Sequence, residues 1–460
     1  MIPTLRTLAA AALAALPLPA LAAVEIEEVT SPGGITAWLV EEHSIPFVAI
    51  ELRFEGGANE DEPGRRGVTN LMAGLLEEGA ADRDARAFAE AAEALAARMR
   101  FDASADAVSV SIEFLTENRE ESLALLRDAL VAPRFDADAV ERVREQVLAG
   151  LASAERDPQE IAQRTLAALA YPEHPYGTPY EGRPESVAAL SIEDIRTAHA
   201  RALTRDRVLV GVTGDITAEE LGPLLDDLLG DLPVHSGPDV PDAEDALTGG
   251  VTVVDFPSPQ SVVLFGHEGI AFDDPDYFPA FVLNHVLGGP GFSSRLMTEV
   301  REARGLTYGI GTGLSARDKA EQVLGQFSSS NDKAAEAIAI VRDEWASFAA
   351  EGVREAELEE AKTYLTGAYP LRFDGNANIA SILVGMQELD LPIDYADTRN
   401  EKVEAVTRED VARVAERLLR PEDLRFVVVG QPEGLEGAAE VEPAAAQPDP
   451  APPEQPALAD

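Results

Sequence analysis

Two kinds of hydrophobic pattern alternate along most of this chain. Short apolar runs, among them Ile35 to Val40, Val208 to Val212, Val251 to Asp255 and Phe426 to Val429, have the length and composition of β-strands. Longer stretches such as Ala85 to Ala97, Ala137 to Arg156 and Lys333 to Phe348 have helical spacing. This mixture predicts an α+β architecture in which a β-sheet is covered on one face by helices. Two segments lack both patterns. Asp231 to Gly250, rich in Pro, Gly and Asp, is expected to be a linker, and Gln431 to Asp460, built of Ala, Pro and Glu with scattered Leu and Val, a disordered tail.

The pattern also repeats. From Ala188 to Gly214 the sequence lies on Glu404 to Gly430 without a gap, at a constant offset of 216 residues. Glu193 and Glu409, Asp194 and Asp410, Arg201 and Arg417, Leu203 and Leu419, Val212 and Val428, and Gly214 and Gly430 are identical pairs. In both copies a Ser or Thr stands as a helix N-cap three residues before an Asp, Ser191 with Asp194 and Thr407 with Asp410. A matched cap, helix, strand and closing Gly in one register indicates an internal duplication, with one domain over residues 24–230 and a homologous one over 251–430.

Composition narrows the function classes. A chain of 460 residues, 45% hydrophobic, supports two domains with sizeable cores. Its net charge of -46, from 83 acidic and 37 basic residues, repels phosphate backbones and argues against a nucleic-acid partner. The acidity is read first as solubility, as in a salty habitat, and only second as a field that selects basic substrates. With 0 Cys there is no disulfide and no thiolate metal site. At the N-terminus, Arg6 precedes an apolar run from Leu8 to Leu21 that ends in the small-x-small motif Ala20-Leu21-Ala22. Residues 1–22 are therefore expected to be a cleaved signal peptide. Pro17 and Pro19 interrupt the run, and no Cys follows it for lipid attachment. The mature chain is expected to be exported without a membrane anchor, into the periplasm if the source is Gram-negative.

The most informative chemistry is missing chemistry. Gly67 to Gly79 resembles the segment in which pitrilysin-like zinc peptidases, the inverzincins, carry H-x-x-E-H, but the ligand and base positions here are Asn70, Ala73 and Gly74. The segment matching that family's third ligand, Glu141 to Gly150, ends in Gly where a Glu is required. Ala and Gly have no donor atom and an Asn amide is a poor zinc ligand, so no metal site is expected in this chain. Other segments carry the same resemblance: Gly56 to Pro63, Tyr171-Pro172-Glu173-His174-Pro175-Tyr176-Gly177, Gly214-Asp215-Ile216, Leu287 to Leu296, and Val300 to Tyr308. In this order and spacing they identify the chain as a member of the pitrilysin-like family over roughly Val24 to Gly430.

The resemblance implies two duplicated domains forming half of a clam-shell chamber. It gives Gly288, Gly289, Gly291 and Phe292 as a glycine loop that touches substrate, although the run could equally be a turn before a helix; no Gly-Lys-Ser or Gly-Lys-Thr follows to make it a P-loop. It gives Arg301 and Tyr308 as the pair projecting toward a zinc site on another half or subunit. A guanidinium and a phenol suit that role, because both donate hydrogen bonds to an oxygen on which negative charge develops. The plain alternative is a surface Arg paired with a nearby Glu and a half-buried strand Tyr. His174 sits between prolines with no second His nearby, which favours a structural role. Glu77 and Glu78 are taken as solvated carboxylates. Together these readings imply a non-catalytic subunit of a heterodimeric zinc peptidase acting on unfolded peptides, with zinc in a homologous H-x-x-E-H partner. The alternative is a catalytically dead scaffold or peptide-binding module of the same fold.

Overall fold

The computed structural model describes residues 25–237, 239–435 and 438–441. The expected signal peptide lies outside the described residues, as does the expected tail beyond residue 441. The first half supplies strands β1 (Glu27–Thr30), β2 (Thr36–Glu41), β3 (Phe47–Glu55), a small hairpin of β4 (Gly79–Ala80) and β5 (Arg83–Asp84), β6 (Arg98–Ala103), β7 (Ala107–Leu115) and β8 (Val208–Gly214). The second supplies β9 (Gly250–Asp255), β10 (Gln260–Glu268), β11 (Ile310–Arg317), β12 (Ala320–Ser330), β13 (Arg425–Gly430) and β14 (Ala439–Glu440).

Two six-stranded sheets result, ordered β1-β2-β8-β3-β7-β6 and β14-β9-β13-β10-β12-β11. In each, one inner pair is parallel, β2 with β8 and β9 with β13, and the run beyond it is antiparallel. Five of the six positions match in order and chain sequence, β2-β8-β3-β7-β6 with β9-β13-β10-β12-β11, as a duplication requires. The two matched caps form as well. Ser191 and Thr407 each accept from the backbone N–H of the Asp three residues on, at 3.2 and 3.1 Å, and each Asp accepts in return from the cap's own N–H.

Alternate residues of the central strands build the two main cores. Val48, Ile50, Leu52 and Phe54 of β3 pack with Leu71, Leu126, Ile195 and Leu225 from the covering helices. In the second half Val263 and Phe265 of β10 pack with Trp345, Phe348 and Phe426. The expected helical layer is thus present on one face of each sheet, and the opposite face is covered too, by a helix from the other half. Helix Asn376–Glu388 of the second half lies across β8, β3 and β2, and helix Pro158–Ala170 of the first lies across β13 and β10. A Cβ at Gly211 would meet the Ala380 carbonyl oxygen at 2.2 Å, so glycine there lets helix and strand approach. Gln387 then donates to the Val210 carbonyl at 3.0 Å. Coverage on both faces is why Val208 to Val212 and Phe426 to Val429 read as continuous apolar runs instead of alternating ones.

The segment 231–250 is stitched to its surroundings. The Ala243 N–H donates to Lys319 O and the Ala246 N–H to Ala170 O, both at 2.8 Å. The expectation of a disordered tail from Gln431 onward is corrected at its start: β14 adds in parallel to β9, and the Val441 N–H donates to Val253 O at 3.2 Å. Backbone pairing requires no apolar side chains, and it covers what would otherwise be an open sheet edge. In the first sheet β1 fills the same place but runs antiparallel to β2. Among the described residues no helix is long and apolar enough to cross a membrane.

Candidate functional site

The vacated positions lie on and beside a short, firmly anchored helix, Val68–Ala73. Asp61, in the loop ahead of it, accepts from the Gly67 N–H at 3.0 Å, from the Thr69 hydroxyl at 2.5 Å and from Arg201 Nη2 at 2.7 Å. A carboxylate at a helix N-terminus satisfies amides that have no partner within the helix. Behind it, Arg201 and Arg207 also pair with the buried Glu60, at 3.5 and 3.0 Å.

The residues here do not fit a zinc ion. A Cβ at Gly74 would find Val143 Cγ1 at 3.3 Å, so the facing helix Ala137–Ala154 leaves little room for a side chain. A Cβ at Gly150 would meet nothing within 4 Å, so a larger residue is sterically allowed there and simply absent. Glu78 is bonded to Arg142 on that same helix, which differs from the free solvated carboxylate expected of it. Among the described residues no group of three or more His, Cys, Asp or Glu is placed to hold a metal.

The second half presents a different surface. Helix Tyr277–Gly288 ends at the glycine run. Gly288 and Gly289 are buried and required by packing, since a Cβ would strike Thr312 Oγ1 at 2.4 Å or His285 Cα at 2.6 Å. Gly291 is exposed, has φ +107° and open space around it, and Phe292 after it is 64% exposed. Arg295 then ties the segment down, with a two-pronged bond to Glu357 at 2.9 and 2.8 Å and a third to Gly352 O. Burial acts to raise the Glu357 pKa, but hydrogen bonds from Arg295 and Arg354 prevail and hold it at about 2.

The next turns, Met297–Glu302, are wound as a π-helix, a form often found at functional sites. Arg301 emerges from it with its guanidinium 4.6 Å from the centre of the Phe292 ring. It makes no ion pair among the described residues, although its neighbour Arg304 bonds Glu299. Tyr308 follows in the loop before β11, between the buried side chains of Leu306 and Ile310. Thr307 fixes this loop by donating to Ser328 O at 2.7 Å. Tyr308 is 91% exposed and has no hydrogen bond or ring contact among the described residues. The surroundings thus match neither plain alternative, the Arg–Glu pair nor the half-buried strand Tyr. Arg301 and Phe292 are brought together; Gly288 and Gly289 face inward instead.

One neighbour was not visible in the sequence. Tyr364 stacks on His285 with ring centres 5.0 Å apart, beside Gly289. The position of His285 four residues before Gly289 is a signal, but its partner lies on a distant helix. Burial lowers the His285 pKa, favouring the neutral ring. His174 and His267 are structural. His174 Nδ1 accepts from the Tyr176 N–H while Nε2 donates to Pro241 O, both at 3.1 Å, and His267 accepts from Trp345 Nε1 at 3.1 Å.

Comparison with known proteins gives this geometry a lineage. A family model described as insulinase, peptidase family M16, matches residues 37–183, and one described as the peptidase M16 inactive domain matches residues 189–365. The non-peptidase homolog YmxG of Helicobacter pylori is 26% identical over 390 residues, covering 85% of this chain and 90% of that protein. The probable mitochondrial-processing peptidase subunit beta of Schizosaccharomyces pombe is 24% identical over 440 residues, covering 89% and 92%. Among solved structures, a peptidase M16 inactive domain from Pseudomonas fluorescens superposes with a TM-score of 0.83 at 27% identity, covering 91% of this chain and 99% of that one. The vacated ligand positions, the duplicated fold and these relatives lead to one assignment: the chain belongs to peptidase family M16, as a non-catalytic member.

Proposed function

We propose that this chain is the non-catalytic subunit of a two-chain peptidase, pairing with a homologous chain that carries H-x-x-E-H and zinc. The observation that carries the reading is Tyr308, 91% exposed on a loop pinned at both ends, close in sequence to an Arg301 that no carboxylate neutralises in a strongly acidic chain. A phenol and a guanidinium held this way donate hydrogen bonds to the carbonyl oxygen of a peptide as it gains negative charge, while Arg301 also orients the backbone. Phe292 and the Gly291 turn provide an adaptable apolar contact next to them. The enclosed chamber of such a pair selects unfolded peptides. The N-terminal sequence supports export, with the complex working in the periplasm of a Gram-negative cell.

The test is co-expression with the zinc-bearing homologue. The two chains should elute together, zinc should follow the partner, and this chain alone should hold none in stoichiometric amount. In the heterodimer, Tyr308→Phe should lower kcat on the order of tenfold to a thousandfold, as for loss of one oxyanion donor. Arg301→Ala should raise KM as well. Wild-type turnover by the double variant rejects the assignment. A second reading, a scaffold or peptide-binding module, draws support from the relative named a non-peptidase homolog. It takes first place if the chain binds peptides but no partner acquires activity from it.

A further inference from the structure

The helix Asn376–Glu388 has two working faces. Ile379, Leu383 and Met386 pack against Trp38 and Val40 of the first sheet. The opposite face, with Asn378, Ser381, Ile382 and Gly385 at helical spacing, forms one wall of a cavity of about 310 Å³. The other walls are largely aromatic, including Phe281, Tyr369 and Tyr395. This volume is at the lower end of the range for small-molecule sites, and the make-up, apolar walls with a few polar groups, is typical of them.

The polar groups are unusual for this protein. Arg399, only 7% exposed, lines the cavity with its guanidinium 4.5 Å from the Tyr369 ring centre and 5.2 Å from that of Phe281. Its Nη1 donates to Leu365 O at 2.8 Å and to Asn400 Oδ1 at 3.0 Å, both neutral acceptors. Arg372 lines the same cavity and is exposed. Neither has an ion pair with a carboxylate among the described residues, and Asp397, near Tyr369, pairs with neither. In a chain with 83 acidic residues, a buried guanidinium and a second one beside it, both without counter-charge, run against the rule that buried charges are paired. Aromatic faces attract a cation but do not neutralise it.

We propose that this cavity binds an organic carboxylate with an aromatic or apolar body. The carboxylate bridges Arg399 and Arg372, and the body lies among Phe281, Tyr369 and Tyr395. That chemistry is shared by a free aromatic acid and by the C-terminus of a peptide ending in an aromatic residue. The site does not involve Arg301 or Tyr308 and stands whether or not the chain acts in a peptidase.

Calorimetric titration of the full chain tests it, with N-acetyl-phenylalanine and its amide, and with a short peptide ending in Phe, as free acid and as amide. At least one free acid should bind one to one, with its amide at least about tenfold weaker, the range for loss of a charged hydrogen-bonded contact. Binding of the peptide acid alone identifies a peptide terminus as the ligand, and binding of the small acid alone identifies a free metabolite. Gly385→Leu should fill the cavity and abolish binding while leaving the circular dichroism spectrum intact, because a Cβ there meets nothing within 4 Å. Arg372→Gln, at an exposed position, should weaken binding about tenfold. The proposal is overturned if acid and amide bind equally, if Gly385→Leu binds like the wild type, or if neither acid binds at millimolar concentration.

Discussion

At matched positions of the duplication, Arg201 of the first half is sunk against Asp61 and Glu60, while Arg417 of the second half reaches Asp274 and Asp276 across the surface. The Arg201 side chain is 21% exposed and its partner Asp61 0%, whereas the Arg417 side chain is 52% exposed and its partners Asp274 and Asp276 18% and 16%. The same residue type at the same place therefore has a different job in each half. In the first, charge and hydrogen bonding are used up in fixing the loop and short helix where a zinc site would have been. In the second, the architecture is held by Arg295 and Glu357, leaving Arg301, Phe292 and Tyr308 without structural duties. Duplication supplied two copies of one frame; the halves differ in which side chains that frame leaves unpaired.

The comparison breaks most visibly at Arg201. Arg201→Ala leaves the buried Asp61 without a counter-charge, while Glu60 keeps Arg207, and should cost about 3–5 kcal/mol in urea unfolding. Arg417→Ala removes an exposed pair and should cost no more than about 1 kcal/mol. Equal losses would erase the distinction between the halves. Nearly as large is the expected loss for Leu383→Ala, which is fully buried on the helix crossing to the first sheet, about 2–5 kcal/mol. Its unfolding should remain a single transition, because the helix belongs to one half and its packing to the other.

A smaller effect has opposite sign in the two halves. Burial, with Asp102 adding to it, raises the Glu51 pKa from 4.5 to about 7, so its folded form prefers the proton and its contribution to stability falls as pH rises from about 4.5 through 7. Glu357 has a folded pKa of about 2, below its usual value of 4.5, so its contribution is full above about 4.5 and is lost as pH falls toward 2. Glu51→Gln should thus stabilise at pH 8 and be neutral at pH 4, while Glu357→Gln should destabilise at pH 8 and approach neutrality near pH 2. Unfolding curves at each pH check both signs. The smallest expected change sharpens the contrast: Tyr308→Phe should leave stability within about 0.5 kcal/mol of wild type, whatever it does to turnover.

Local signals were legible in the sequence, and long-range ones were not. The caps at Ser191 and Thr407 could be read because each rests on residues three apart, and the loss of zinc ligands because Ala and Gly lack donor atoms in any fold. Tyr308 and Arg301 were found by their place in a familiar segment, but their lack of partners depends on what surrounds them in space. The crossing of Asn376–Glu388 onto β8 joins residues more than 160 positions apart, and its one trace was the unbroken apolar run that two buried faces demand. β14 left no trace, since an edge strand of Ala and Glu is held by backbone alone. The stacking of Tyr364 on His285 and the gathering of Arg372 and Arg399 around one cavity likewise depend on tertiary contacts.

The crossed helices also set the order in which the molecule completes itself during synthesis. The first sheet has all its strands once β8 has been made, but the cover for its second face is not made until residues 376–388. Through that interval Trp38, Val40 and the neighbouring strand faces remain bare on a nascent chain. The first half therefore reaches its fully covered form only when residues 376–388 of the second half are in place.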